Sequence, residues 1–431
     1  MNSETHLSTA DSRIDIAIVG GGMVGASLAL LLSSLNRRWR IRVIEAVAAE
    51  PNGAPSQPSF DARSTALSHS SREIFELLGL WNDLQPGLAP ISQVHVSDRG
   101  HVGTTRLSAE EQKLPALGYV VENRWLGEAL MNAVRASDAI EWLAPATVSA
   151  LRPRRDGMSV TVDSGTEQQR FDCELLVVAD GAQSRTREVL GIGSHDKDYG
   201  QQAVIANISL SADHGGIAYE RFTDLGPMAL LPLQPLDGEH RAALIWTLPP
   251  ERAAEMLAAD DDAFLAELQG RFGYRLGHFQ RVGSRHSYPI RLITSDEQVR
   301  RHAVVAGNAA HSLHPVAGQG FNLALRDLAV LADVLGEAEA RGEAIGDLAV
   351  LQRYLQRQRA DQQQTILLSD LLPRVFGLDS SPVALTRNLG LLALDAVPLL
   401  RHQFARLGMG LETRGAPGLN AVTDTEKLAN G

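Results

Sequence analysis

The chain has 431 residues, 44% of them hydrophobic and 21% charged, with a formal net charge of −11. One core stops growing below that length, so one large or two intimately joined domains are expected. The acidic balance argues against a nucleic-acid partner, which needs a basic face against phosphate. The lone Cys173 has no disulfide partner and reads as a small buried side chain in a reducing compartment.

Residues 1–12 read as a polar, disordered lead without the apolar centre of a secretory signal. The run "IDIAIVG" then has strand length, and "MVGASLALLLSSL" has the apolar spacing of a helix. Between them Gly20, Gly22 and Gly25 fit G-x-G-x-x-G, and the next strand, "RIRVIE", ends in Glu45. A β-α-β unit of this kind sets a pyrophosphate on a helix start, and its terminal acid accepts hydrogen bonds from an adenosine ribose. A carboxylate there repels a 2′-phosphate, so the site suits FAD or NAD and not NADP.

Two later segments repeat the pattern of apolar strand and special turn. "CELLVVADGAQSRTRE" ends its strand in Asp180-Gly181, and "HAVVAGN" runs into "AAHSLHPVAGQGFNLALRD". Between Ala203 and Ile290, "AVIANISL", "GPMALLPL", "RAALIWTL" and "RHSYPIRL" read as strands, interrupted by the helical "DDAFLAELQGRFG". In the helix after the glycine loop, Leu325, Leu328, Leu331 and Leu335 mark a core face. His311 and His314 have no convergent carboxylate or cysteine nearby in sequence, so no metal site is expected. They either hydrogen-bond a substrate or hold the loop backbone, and no catalytic base is assigned. The stretch "LGLLALDAVPLL" is too short to span a membrane and holds Asp395 and Pro398. Residues 366–411, with Arg374, Arg387, Arg401 and Arg406, suit an amphipathic surface, a helical layer on the core or a dimer interface.

With "DARSTALS" at 61–68 and "ENRWLGEAL" at 122–130, these motifs resemble the FAD-dependent aromatic hydroxylases of p-hydroxybenzoate hydroxylase fold across nearly the whole chain. "HVSDRG", "AVIAN", "ERFTDLGPMALLP" and "LHPVAGQGFNL" are similar to the ubiquinone-biosynthesis branch of that family. The W-x-W signature of tryptophan halogenases is absent.

The resemblance implies an α/β fold, with a Rossmann-like FAD-binding domain interleaved with a mixed-sheet substrate domain and followed by C-terminal helices. The expected boundaries are 13–80, 115–195 and 284–345 for the FAD-binding domain and 81–114 with 196–283 for the substrate domain. Residues 346–412 would form the helical region and 413–431 a loose tail.

It further implies resident FAD held by Gly20, Gly22, Gly25 and Glu45, with Arg63 and Arg124 along the cofactor and Asp180 near FAD. Asn308 stands where the wider family has an aspartate on the flavin ribitol; the amide keeps an acceptor oxygen without the charge. Pro315 would stiffen the wall beside the ring, and main-chain amides around Gly318, Gly320 and Asn322 would meet its pyrimidine edge. Tyr219, Arg221, Phe222, His286 and Tyr288 are candidates for the substrate pocket.

The implied reaction takes NADH or NADPH as a transient reductant, forms a flavin hydroperoxide from O2 and hydroxylates a prenylated phenol. The open alternatives are another ring position and a catalytically silent FAD-binding scaffold. Partners implied are a membrane surface or lipid carriers and other enzymes of ubiquinone biosynthesis, with a homo-oligomer left open. The implied location is the cytoplasm, peripheral to the inner face of the membrane.

Overall fold

The computed structural model describes residues 8–9, 14–35, 38–48, 59, 63–98, 104–165, 167–313 and 318–377. His314, Pro315, Arg387, Arg401, Arg406, the side chain of Arg374 and the expected tail lie outside the described residues.

In chain order, β1 (Ile14–Val19), α1 (Met23–Leu35) and β2 (Ile41–Ile44) open a first sheet. β3 (Ser64–Ser68) and β4 (Gly118–Glu122) pair antiparallel in a small separate sheet with Ala89–Ile91. α2 (Asn123–Arg135) leads back to the first sheet, which gains the long β5 (Glu167–Val178). Then β6 (Ser194–Leu210), β7 (Ile217–Thr223), β8 (Gly226–Leu236), β9 (Glu239–Leu248) and β10 (His286–Ser295) build a second sheet. The chain crosses back for β11 (Ala303–Val305), adds β12 (His311–Ser312) to the second sheet, and ends in α3 (Gln319–Ala340) and α4 (Leu348–Gly377).

The first sheet is nine-stranded with a parallel centre: β5 pairs parallel to β1 on one side and to β11 on the other, and β1 pairs parallel to β2. These strands are covered on both faces, which is why they read as unbroken apolar runs without alternation. α1 and α3 pack on one face, and Leu325, Leu328, Leu331 and Leu335 of α3 are all 0% exposed in that core.

The second sheet is largely antiparallel, and neighbouring side chains alternate between its faces. Val204 and Ile208 of β6, Leu230 of β8 and Trp246 of β9 face outward onto Phe264, Leu268 and Phe272 of the helix Asp261–Phe272. The inner face turns toward the small sheet, with Ala218, Leu231 and Ala243 packed against Ile91 and Val120.

One sheet assignment differs from the expected division. β10 falls within 284–345, yet it pairs with β6 in the second sheet, as Ala203↔Tyr288 and Ile205↔His286. A long antiparallel partner satisfies its backbone there, and β12 continues the same sheet from the loop after β11.

Candidate active site

Three turns meet at one edge of the first sheet because three adjacent parallel strands end in register. Val178 of β5 pairs with Val19 of β1 and with Val305 of β11. The Ala179 amide donates to the Val19 carbonyl (2.8 Å) and the Ala306 amide to Val178 (2.9 Å), so the chain leaves the sheet at Gly20, Asp180 and Gly307 side by side. Ligands of open α/β sheets bind outside such carboxyl ends. Gly25 sits so close below that a Cβ on it would lie 1.9 Å from the Gly20 carbonyl oxygen. Gly307 has φ +59°, and a Cβ there would lie 2.8 Å from Val24. Gly22 stands against the Ser59 hydroxyl.

The Glu45 carboxylate is engaged within the protein itself. Its Oε2 accepts the Gly21 amide (2.6 Å) and its Oε1 the Val47 amide (2.8 Å), so it fixes the shape of the glycine turn. Carboxylate lone pairs remain for hydroxyl donors.

Asp180 Oδ2 accepts the Thr186 amide (3.1 Å), while its Oδ1 is buried without a partner among the described residues. A buried acceptor left unmatched is costly, so a donor belongs beside it. Asn308 is exposed at the same edge. Ser64 pairs with Glu122, which places Arg63 and Arg124 together where β3 begins and β4 ends. The Arg63 guanidinium lies 4.7 Å from the Tyr288 ring centre and links this edge to the second sheet, whereas Arg124 is exposed on the first turn of α2.

At the start of α3, Gly318 is left-handed at φ +60°, and a Cβ on Gly320 would meet nothing within 4 Å. Asn322 works through its side chain as well as its amide. Its Oδ1 accepts the Ser68 amide (2.8 Å) and the Ser71 hydroxyl (2.6 Å), and its Nδ2 donates to the Ala66 and Gly318 carbonyls (2.8 Å each). This clamp fixes the electropositive end of α3 against β3.

His311 is buried and its Nε2 meets Asp327 Oδ2 at 2.7 Å. Burial opposes its charge, but the hydrogen bond and the charge of Asp327 outweigh burial and raise its pKa above the ordinary value. That geometry supports the loop-holding reading of His311. Cys173 is buried, and burial pushes its thiol up to about 12, which makes it inert. Among the described residues no cluster of three or more metal-ligating side chains occurs.

The pocket candidates divide by strand alternation. Tyr219 faces the outer core, with its ring 5.4 Å from that of Phe272, and Arg221 shares that face with it. The inner face instead carries Ala218, Glu220 and Phe222. His286 and Tyr288 join it from β10. Sequence reading passed over Glu220 because a charged residue inside an apolar strand looks like a solvated one. Burial pushes its carboxyl up to about 7.

A parallel sheet with three turns converging at its carboxyl edge is the arrangement in which open α/β sheets bind dinucleotides. The orphaned Asp180 oxygen, the exposed Asn308 amide and the open space over Gly320 fit FAD at that edge. The sequence pattern of the family described as FAD binding domain matches residues 13–368, and the chain belongs to that family of FAD-dependent monooxygenases. It is 36% identical over 402 residues to the ubiquinone hydroxylase UbiL of Rhodospirillum rubrum, covering 93% of this chain and 91% of that one. It is 34% identical over 397 residues to the 3-demethoxyubiquinol 3-hydroxylase of Escherichia coli, covering 92% and 98%. Among solved structures it resembles p-nitrophenol 4-monooxygenase PnpA of Pseudomonas putida, with TM-score 0.74 at 15% identity over 94% of this chain and 99% of that one, a likeness of fold.

Proposed function

We propose that this protein hydroxylates the aromatic ring of a polyprenylated methoxyphenol in ubiquinone biosynthesis, consuming O2 and NADH or NADPH. The observation that carries this reading is the near full-length identity to two relatives that are both named as ubiquinone-pathway hydroxylases. The site supports it. FAD, when bound, supplies the relay of electrons from the reduced nicotinamide and the oxygen activation that side chains lack.

The residues of the chain then bind, orient and shield. Glu45 and the glycine turn would take the adenosine end, while Asp180 and Asn308 would take hydroxyls nearer the flavin. Amides at Gly320 and Asn322 would stabilise negative charge at the helix start, held ready by the Asn322 clamp. The inner face of the second sheet would exclude water over the reacting ring.

A second reading hydroxylates another position on a later ring of the same pathway, and it is favoured by the Escherichia coli relative, which is named as a 3-demethoxyubiquinol 3-hydroxylase. Product analysis with a short-chain 2-prenyl-6-methoxyphenol and with a short-chain demethoxyubiquinol separates the two, because the compound hydroxylated and the position of the new hydroxyl are read directly. Recovery of both compounds unchanged while reduced nicotinamide is consumed argues against both readings.

Among the described residues no helix is long and apolar enough to cross a membrane. A prenylated substrate therefore calls for peripheral contact with a membrane or a lipid carrier. That contact is tested by sedimentation of the protein with vesicles of anionic and neutral lipid.

A further inference from the structure

We propose that Glu220 accepts the proton of the substrate's phenolic hydroxyl. The proposal rests on the hydroxylation reading above and assigns it the base that the sequence left open.

The placement follows from register. Across the inner face of the second sheet, Glu220 stands in one row with Val96, Ala229, Ile245, Ile205 and His286. The rows on either side reach the cofactor-binding part. In one, Asn207 Nδ2 donates to Glu122 Oε1 at 3.1 Å. In the other, Tyr288 lies under Arg63. Glu220 thus sits between two anchored rows, on the face that turns toward the small sheet and Arg63.

Its surroundings suit a base. The side chains next to it along the row are aliphatic. Glu220 makes no hydrogen bond or ion pair among the described residues, although it is only partly exposed. A half-buried carboxylate without a partner beside aliphatic side chains takes up a proton more readily than one in water. Burial brings its pKa to about 7, near the operating range of a general base.

The other charged groups of this face stand apart in register. His286 is at the far end of the row, Glu122 pairs with Arg241 beyond the next row, and Arg63 lies over Tyr288. Asp98 is the register partner of Phe222. His95, Arg106 and Arg221 belong to the opposite face.

In the step itself the phenolic O–H bond breaks and the proton passes to the Glu220 carboxylate. The electron pair stays on the ring oxygen and enriches the ortho and para carbons, where hydroxylation occurs. The proton then returns to the ring oxygen or leaves to water, so Glu220 is regenerated.

The test uses FAD-loaded wild type, Glu220→Gln and Glu220→Asp, each first shown to retain FAD and native circular dichroism. A nitro-substituted prenylphenol, added at a pH below its own pKa, should show phenolate absorbance when bound to wild type and phenol absorbance when bound to Glu220→Gln. Hydroxylation should fall by about 100-fold in Glu220→Gln, with Glu220→Asp intermediate, while flavin reduction holds. Phenols acidified by ring fluorine should restore most of the loss, because they need no base. A Glu220→Gln enzyme that ionises the probe or turns over like wild type overturns the proposal, and so does a loss that fluorination leaves in place. If wild type binds the phenol without ionising it, the role of Glu220 falls alone; if wild type binds no prenylphenol, the hydroxylation reading falls with it.

Discussion

His311 and Asp327 form an ion pair 2.7 Å long in which both side chains are 1% exposed. It joins the strand that follows the third of the converging turns to the middle of α3. The same carboxylate accepts Gln358 (2.8 Å) and Gln362 (3.0 Å) from α4, so one aspartate ties three elements together. Next to it Arg326 pairs with Asp361 at 2.7 Å, also buried.

Removing one partner of a buried pair leaves the other charge uncompensated, at about 3–5 kcal/mol. His311→Ala should therefore lower stability by about that amount in denaturant unfolding. The pH dependence has a defined sign. Because the folded pKa is raised, the stabilisation from this histidine is present below its ordinary value of 6.5 and fades as pH rises through the folded value. The gap between wild type and His311→Ala should narrow toward alkaline pH.

Asn322→Ala should release FAD more readily than it unfolds the protein. The substitution strips partners from the Ser68 amide and the Ala66 carbonyl, each costing about 1–3 kcal/mol when buried. Both groups hold β3 to the start of α3, so the cofactor edge loosens first. FAD per chain, read from flavin absorbance after gel filtration, should drop well below that of wild type.

Gly25→Ala should give apoprotein or no folded protein at all. The added Cβ would meet the Gly20 carbonyl at 1.9 Å, and backbone cannot swing away as a side chain can. Flavin content is again the measurement. Gly320→Ala faces open space and should fold normally, showing any defect only in FAD binding.

Glu220 makes the protein less stable as pH rises. Its folded carboxyl titrates near 7 against an ordinary value of 4.5, so between those values the folded state holds more protons than the unfolded state. Stability must fall across that window. Glu220→Gln lacks this loss, and its melting temperature should overtake that of wild type increasingly from pH 5 to pH 8.

Much of this was legible in the sequence, and the reasons are local. Gly20, Asp180 and Asn308 each follow an apolar strand, and parallel pairing alone brings those strand ends together. The core face of α3 follows from the spacing of its leucines. What stayed hidden depends on contacts across long separations. Nothing near His311 in sequence identifies Asp327 as its partner or Gln358 as that aspartate's second donor. Residue type alone does not separate Tyr219 and Arg221, which alternation places on the outer face with the core of Phe264 and Phe272, from Glu220 on the inner one. A boundary at residue 284 could not foresee that β10 pairs with β6.

We propose that the edge bearing Gly20, Asp180 and Asn308 holds FAD for ring hydroxylation. The most direct test supplies FAD-loaded protein with reduced nicotinamide, 18O-labelled O2 and a short-chain 2-prenyl-6-methoxyphenol. Mass spectrometry should find one 18O atom in a new ring hydroxyl. A phenol recovered unlabelled, while the flavin is reduced and reoxidised, would contradict the account.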